Sequence, residues 1–265
     1  MTEPEPETTS EFPPLLRCVD VTVRFGGVIA LDRVSLDFRA GEVCGLIGPN
    51  GAGKTTLLDA ISGITAPSAG QIHFAGADAT RRSPTWRARN GIRRTFQRQQ
   101  CFGWLTAQHN VMTALEWHGG GGGLLADLAR SPARLRREKA RRQRAAEVLE
   151  LCGITSVAHL PAARLPLGTA RIVELARAIV DRPRMLLLDE PTSGMEEAEV
   201  EIFDHAVRAV RSEENCAVVI IEHDVGLVMR MSDRVVALDL GRVLADGTPT
   251  EVRSHPEVVA AYFGR

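Results

Sequence analysis

Residues 48–55 read Gly48-Pro49-Asn50-Gly51-Ala52-Gly53-Lys54-Thr55, directly after a mostly apolar run over 42–47. The eight residues fit G-x-x-x-x-G-K-[ST] between an expected strand and an expected helix over 54–62. Gly48, Gly51 and Gly53, with Asn50 among them, let backbone N–H groups turn inward around phosphate oxygens. The helix N-terminus adds the positive end of its dipole. Lys54 then reaches the β- and γ-phosphates, Thr55 ligates Mg²⁺ and Thr56 bonds the α-phosphate. The chain has thirty arginines and two lysines, and one of those lysines stands here. Strand, glycine turn and helix together point to nucleotide binding.

Working outward, Met185-Leu186-Leu187-Leu188-Asp189-Glu190 is a second apolar strand that ends in two acids. It delivers Asp189 to its C-terminal end, where it holds the hydration shell of Mg²⁺. Glu190, one residue on, orients and deprotonates the attacking water. An acid beside the magnesium ligand separates a hydrolase from a protein that only binds nucleotide.

Between and around these landmarks, strand-like runs cover 15–25, 34–38, 71–74, 217–222, 234–238 and 242–245. Helices are expected near 133–151, 196–212 and 224–231. The β–α alternation at both ends predicts a parallel sheet, interrupted by a mainly helical insert over about 98–182. A five-glycine run over 119–123 reads as a flexible connection, and residues 1–13 as a disordered acidic tail. The 265 residues are enough for one α/β domain, so 14–265 is expected to be a single domain.

Composition narrows the class. Thirty-two basic residues face 33 acidic ones for a net charge of −1, so the chain as a whole is not built to coat nucleic acid. Five scattered cysteines argue against a disulfide framework and for a reducing compartment. No apolar run reaches the roughly 18–20 residues of a membrane helix, and the N-terminus lacks the pattern of a signal peptide. A soluble intracellular protein is expected, one that needs a partner to serve a membrane process.

With these motifs in place, the sequence resembles the ATP-binding subunits of ABC transporters over about residues 15–264. The resemblance implies an α/β fold with a P-loop NTPase core: a parallel sheet flanked by helices, an antiparallel β subdomain and an inserted α-helical subdomain. It assigns Phe25, in Val-Arg-Phe-Gly-Gly, to stacking on adenine. Gln97, in Arg-Thr-Phe-Gln, is assigned to Mg²⁺ and to relaying the nucleotide state to the helical part. His223, in Ile-Ile-Glu-His-Asp, is assigned to the γ-phosphate. ATP and Mg²⁺ are the implied cofactors, and the implied working unit is a head-to-tail dimer with a second ABC ATPase, a paralogue or another copy. Arg-Phe-Gly-Gly-Val-Ile-Ala-Leu-Asp (24–32), Ile-Glu-His-Asp-Val-Gly-Leu-Val-Met (221–229) and the close over 247–264 look most like branched-chain amino acid importers. That subgroup implies two polytopic permease subunits, an extracytoplasmic solute-binding protein reached indirectly, and a peripheral place on the cytoplasmic face of the cell membrane. Cargo is then a branched-chain or other hydrophobic amino acid, or a related amide. Residues about 98–112, with Phe102, Trp104 and Leu105, are expected to form the groove that receives a permease coupling helix.

One landmark departs from the family pattern, roughly Leu-Ser-x-Gly-Gln, that closes over the partner's nucleotide. The matching stretch is Leu165-Pro166-Leu167-Gly168-Thr169. Pro166 has neither hydroxyl nor N–H where the serine would bond phosphate, and Thr169 replaces the glutamine. Gly168 and the helix start still offer backbone donors. Ser193-Gly-Met-Glu196 likewise has Glu where many relatives carry Asp.

A rival reading rests on basic residues: Arg134, Arg136, Arg137, Lys139, Arg141, Arg142 and Arg144 on one helix, and seven more arginines over 81–98. A solvated helix face, anionic lipid beside a permease and nucleic acid are the three readings of such a run. The last would make the chain a soluble non-transport ABC-type ATPase acting on nucleic acid or ribosomes. A single nucleotide domain, no long coiled coil and no zinc module weigh against it, and no nucleic acid is expected.

The departure at 166 has a measurable consequence in a heterodimer. The site completed by the Pro166 stretch should turn over more slowly than the site this chain's own phosphate loop builds. Pro166→Ser is expected to speed one of the two sites; unchanged turnover and unchanged nucleotide trapping would sink the asymmetry.

Overall fold

The computed structural model describes residues 13–95, 100–116 and 132–263. Two sheets form its frame. The first is antiparallel, in the order β2-β1-β4-β5, from β1 (Leu16–Phe25), β2 (Val28–Phe38), β4 (Ala69–Phe74) and β5 (Ala77–Asp78). The second has six strands in the order β10-β9-β3-β8-β7-β6: β3 (Val43–Ile47), β6 (Ile92–Arg94), β7 (Met185–Asp189), β8 (Ala217–Ile221), β9 (Arg234–Asp239) and β10 (Arg242–Gly247). Its pairings are parallel except for the β9–β10 hairpin.

Side chains alternate across a strand, and the central strands are apolar on both faces. Met185 and Leu187 of β7 point to one side with Ala217, Val219 and Ile221 of β8 and Cys44 and Leu46 of β3. There they meet the antiparallel sheet and the buried Leu57, Leu58 and Ile61 of α1 (Lys54–Ser62). Leu186, Leu188, Val218 and Ile220 point to the other side. They meet α3 (Ala107–Thr113), α4 (Pro132–Leu151), α5 (Leu167–Ile179) and α6 (Glu197–Glu213). Burying each Leu or Ile in this way contributes about 1.5–3 kcal/mol, so a strand covered on both faces fixes its register firmly. A third cluster joins Ile47 to Val228 of α7 (Val225–Met231), Val252 of α8 (Pro249–Ser254) and Val258 of α9 (Pro256–Phe263).

The outline expected from sequence is present, with differences that have local causes. β2 starts at Val28, six residues before the expected 34, because Val28 and Ile29 pair with Phe25 and Arg24 of β1 although both are exposed. β5, β6 and α2 (Pro84–Arg89) were not expected: elements of two, three and six residues are too short to carry a period. The helices α8 and α9 also escaped the reading. Between β6 and β7 the described residues form helices and short 3₁₀ turns. The tail, apart from Pro13, and the glycine run over 119–123 lie outside the described residues.

One arginine of the 81–98 group is internal. Arg87 of α2 is 1% exposed. Its Nη1 donates to the Ile61 carbonyl at 2.5 Å, Nη2 to the Ala79 carbonyl at 2.6 Å and Nε to the Arg82 carbonyl at 3.4 Å. It thereby satisfies the C-terminal end of α1. The next turn passes so close that a Cβ on Gly63, at φ +79°, would lie 2.8 Å from Arg87 Nε. Arg87→Ala would strand these carbonyls and open a cavity, and should lower unfolding free energy by about 2–4 kcal/mol. Urea titration of the two proteins measures it, and a loss below about 1 kcal/mol would contradict the bridging role.

Candidate functional site

Three parallel strands end side by side. Pairing sets Leu46 of β3 opposite Ile221 of β8, and Ile221 opposite Asp189 of β7. Neighbouring strands lie about 4.8 Å apart, so the segments that follow emerge along one C-terminal edge. Open α/β sheets bind their ligands at such an edge.

Backbone sterics explain the glycines of the first segment. Gly48 has φ +151° and an added Cβ would sit 2.2 Å from the Leu238 carbonyl; Gly53 has φ +104° and its Cβ would sit 2.6 Å from the Ala30 carbonyl. Gly51, at φ +82°, faces open space. Lys54 folds over the loop, its Nζ donating to the carbonyls of Gly48 at 2.6 Å and Pro49 at 3.0 Å. Burial draws the Lys54 amine below its usual pKa, while the charges of Glu190 and Asp189 push back. Asn50 and Thr55 are exposed and Thr56 is half-buried. The approach of Gly53 to Ala30 also brings the β1–β2 hairpin against the loop. Phe25, at the end of β1, is 53% exposed and presents an open aromatic face on that hairpin.

Asp189 is 2% exposed. Its Oδ2 accepts from Arg94 Nη2 at 3.1 Å, whereas its Oδ1 is buried with no hydrogen-bond partner among the described residues. Burial raises its pKa, and Arg94 opposes that rise. A buried carboxylate oxygen left without a donor is costly. An oxygen aimed at a hydrated hard cation is a consistent explanation, and oxygen donors such as Asp189 and the Thr55 hydroxyl suit Mg²⁺. Gln97, the third expected metal contact, lies outside the described residues.

Glu190 follows in the left-handed region at φ +50°, a conformation that costs a non-glycine residue on the order of 1 kcal/mol or more and concentrates at functional sites. Its N–H donates to the Ile221 carbonyl at 2.9 Å. His223 Nε2 lies 2.9 Å from Glu190 Oε1. A second tie runs beside it: the N–H and the hydroxyl of Thr192 both donate to Oε1 of buried Glu222 at 2.7 Å. Two loops, from β7 and β8, are therefore locked together at adjacent positions.

Glu222 and Arg94 were missed as individual site residues. An acid buried at the end of an all-apolar strand, next to a histidine, was the available signal for Glu222. Arg94 stands in the sequence as the first residue of Arg-Thr-Phe-Gln and as one of a basic run, neither of which gives it a role of its own.

The structure brings the 48–56 segment, Asp189, Glu190 and His223 to one edge. Pro166, Gly168 and Thr169 lie instead at the start of α5, packed on the segment after Glu190. Pro166 occupies the N-cap without a side-chain acceptor. A Cβ on Gly168 would overlap the Glu199 carboxylate, and Thr169 Oγ1 donates to Glu199 Oε1 at 3.3 Å. Leu167 leans on Gly194.

A cavity of about 580 Å³ opens beside β6, lined by Arg93, Arg94, Gln100, Phe102, Glu174 and Arg177 among others. The Arg177 guanidinium lies 5.9 Å from the Phe102 ring. Phe102 and Trp104 are 41% and 80% exposed with ring centroids 5.8 Å apart, so neither is a core aromatic. The basic residues divide. Arg93 pairs with Asp181, Arg94 with Asp59 and Asp189, and Arg144 with Glu214; Arg136, Arg137 and Lys139 are exposed.

The family described as ABC transporter matches residues 31–193, and the one described as branched-chain amino acid ATP-binding cassette transporter matches 242–265. The high-affinity branched-chain amino acid transport ATP-binding protein BraF of Pseudomonas aeruginosa is 39% identical over 251 residues, 95% of this chain and 98% of BraF. The crystal structure of an ABC transporter cassette in its ADP conformation superimposes with a TM-score of 0.81 at 27% identity, over 96% of this chain and all of that one. A dimeric structure of a bacterial ABC transporter cassette does so with a TM-score of 0.74 at 26% identity, over 88% of this chain and 98% of that one. The chain is a member of the ABC transporter ATP-binding family.

Proposed function

We propose that this chain is the ATP-hydrolysing subunit of an ABC importer for branched-chain or other hydrophobic amino acids, or related amides. The observation that carries the catalytic half is the convergence of Lys54, Asp189 and the Glu190–His223 pair on one sheet edge. The importer half rests on the likeness to BraF along 95% of the chain and on the match over 242–265.

In this reading the backbone amides of 48–53 and Lys54 hold the phosphates of ATP, and Phe25 takes the adenine. Thr55, Asp189 and Gln97 would hold Mg²⁺, which when bound neutralises charge on the β- and γ-phosphates. Glu190 accepts the proton of a water whose oxygen forms a bond to the γ-phosphorus as the bond to the β–γ bridging oxygen breaks. His223, with Nε2 2.9 Å from the Glu190 carboxylate, would present its Nε2–H to the γ-phosphate. Thr192–Glu222 holds both loops at the required spacing. The 166–169 stretch would complete the nucleotide site of a second ABC ATPase, so ATP joins two chains and hydrolysis lets them part.

The same reading gives the chain a peripheral place on the cytoplasmic face of the membrane, against two polytopic permease subunits. A solute-binding protein would act on the far side. No helix among the described residues is long and apolar enough to cross a membrane. The cavity beside Phe102, with exposed Trp104 at its margin, is the proposed seat of a permease coupling helix. The cargo itself never touches this chain.

Glu190→Gln removes the proton acceptor and leaves the phosphate loop intact. ATP turnover should fall about 100-fold or more while ATP still binds, so the variant should accumulate as an ATP-dependent dimer in size-exclusion chromatography. Turnover within about tenfold of the wild type would show that Glu190 is not the base.

A further inference from the structure

Arg94 closes β6, where its N–H and C=O run beside Leu187 of β7 and its side chain passes into the space between β7 and α1. The side chain is 7% exposed. Nη1 donates to Asp59 Oδ1 and, at 3.2 Å, to Ser62 Oγ, both on α1. Nη2 donates to Asp189 Oδ2 at 3.1 Å. One planar fork thus joins the helix that begins at Lys54 and Thr55 to the strand that ends at Asp189. Asp59 lies four residues after Thr55, on the same face of α1, so the clamp grips the helix one turn behind its phosphate-facing end.

The two oxygens of Asp189 are treated differently. Oδ2 is taken by the guanidinium, and Oδ1 is buried with no hydrogen-bond partner among the described residues. A carboxylate free to rotate could offer either oxygen to either neighbour. With Oδ2 held by a group that is itself anchored on Asp59, Oδ1 is left at a fixed place. Arginine suits this task because its fork is rigid and its charge permanent. Lysine would supply the charge without spanning both carboxylates.

We propose that Arg94 is the positioning residue of the magnesium–nucleotide site: it pins Oδ2 of Asp189 to α1 so that Oδ1 faces the metal's hydration shell. The proposal rests on the reading above in which Asp189 serves Mg²⁺. It assigns Arg94 no contact with nucleotide, so its loss should show in the metal dependence of binding and spare binding without metal. Outer-shell groups that orient a metal ligand are typically worth about 10–100-fold in metal affinity.

The test is binding of a fluorescent ATP analogue to the full chain, once in EDTA and again across a Mg²⁺ titration. The wild type is compared with Arg94→Lys, Arg94→Gln and Asp59→Asn. Asp59→Asn removes the anchor's charge and leaves Arg94 and Asp189 in place, so it covers the case in which an Arg94 variant fails to fold. The expected result is a half-saturating Mg²⁺ concentration raised about tenfold in both Arg94 variants and in the same direction in Asp59→Asn, with affinity in EDTA within about twofold of wild type. Wild-type binding indifferent to Mg²⁺ would overturn the metal reading and this proposal with it. A normal wild-type dependence kept by all three variants would overturn the proposal alone. So would an equal loss of affinity with and without Mg²⁺, the mark of a merely structural role.

Discussion

The parallel pairing of β3, β8 and β7 is the constraint on which everything else depends. It places the ends of three strands in one row, in register at Leu46, Ile221 and Asp189. The segments after Ile47, Asp189 and Ile221 are far apart in sequence; the sheet supplies their proximity. The pairing is held by burial of both faces, one under the antiparallel sheet and α1, the other under the helices from α3 to α6. A slip of one residue would exchange those faces and remove the acids from the edge. Core packing here therefore acts directly on the chemistry.

Charge balance is the second theme. Asp189 and Asp59 share one guanidinium, and burial works against the charged forms of both Asp189 and Lys54. In the proposed reading, phosphate would replace the two carbonyls on Lys54, and a hydrated cation would meet the Asp189 oxygen that has no donor among the described residues. The strained backbone at Glu190 belongs to the same edge. Its N–H bond to Ile221, the His223 contact and the Thr192–Glu222 tie oppose its relaxation.

Much of this was legible in the sequence, and the rest failed for physical reasons. Gly48 to Thr55 and Met185 to Glu190 carry their meaning locally, because phosphate recognition needs consecutive backbone amides and a strand end needs an apolar run. Glu190 and His223 could be named from their places after apolar strands, and they lie 2.9 Å apart. Arg94 and Arg87 could not be told from exposed arginines, since one lies in a three-residue strand and the other in a six-residue helix. Their partners, Asp189 and Asp59 for one and three backbone carbonyls for the other, are distant in sequence or are not side chains at all. Composition made matters worse: thirty arginines mask the few that are buried. Phe102 and Trp104 were equally ambiguous until exposure separated them from the core.

On this reading, the nucleotide edge drives a membrane transporter. The most direct measurement is mild-detergent recovery of the tagged chain at native level, with identification of every protein that accompanies it. Two polytopic membrane subunits are expected, together with a second ABC ATPase or a second copy of this one. Recovery of ribosomes or DNA-repair proteins, with no membrane subunit, would contradict it and leave the ATPase site without the transport role.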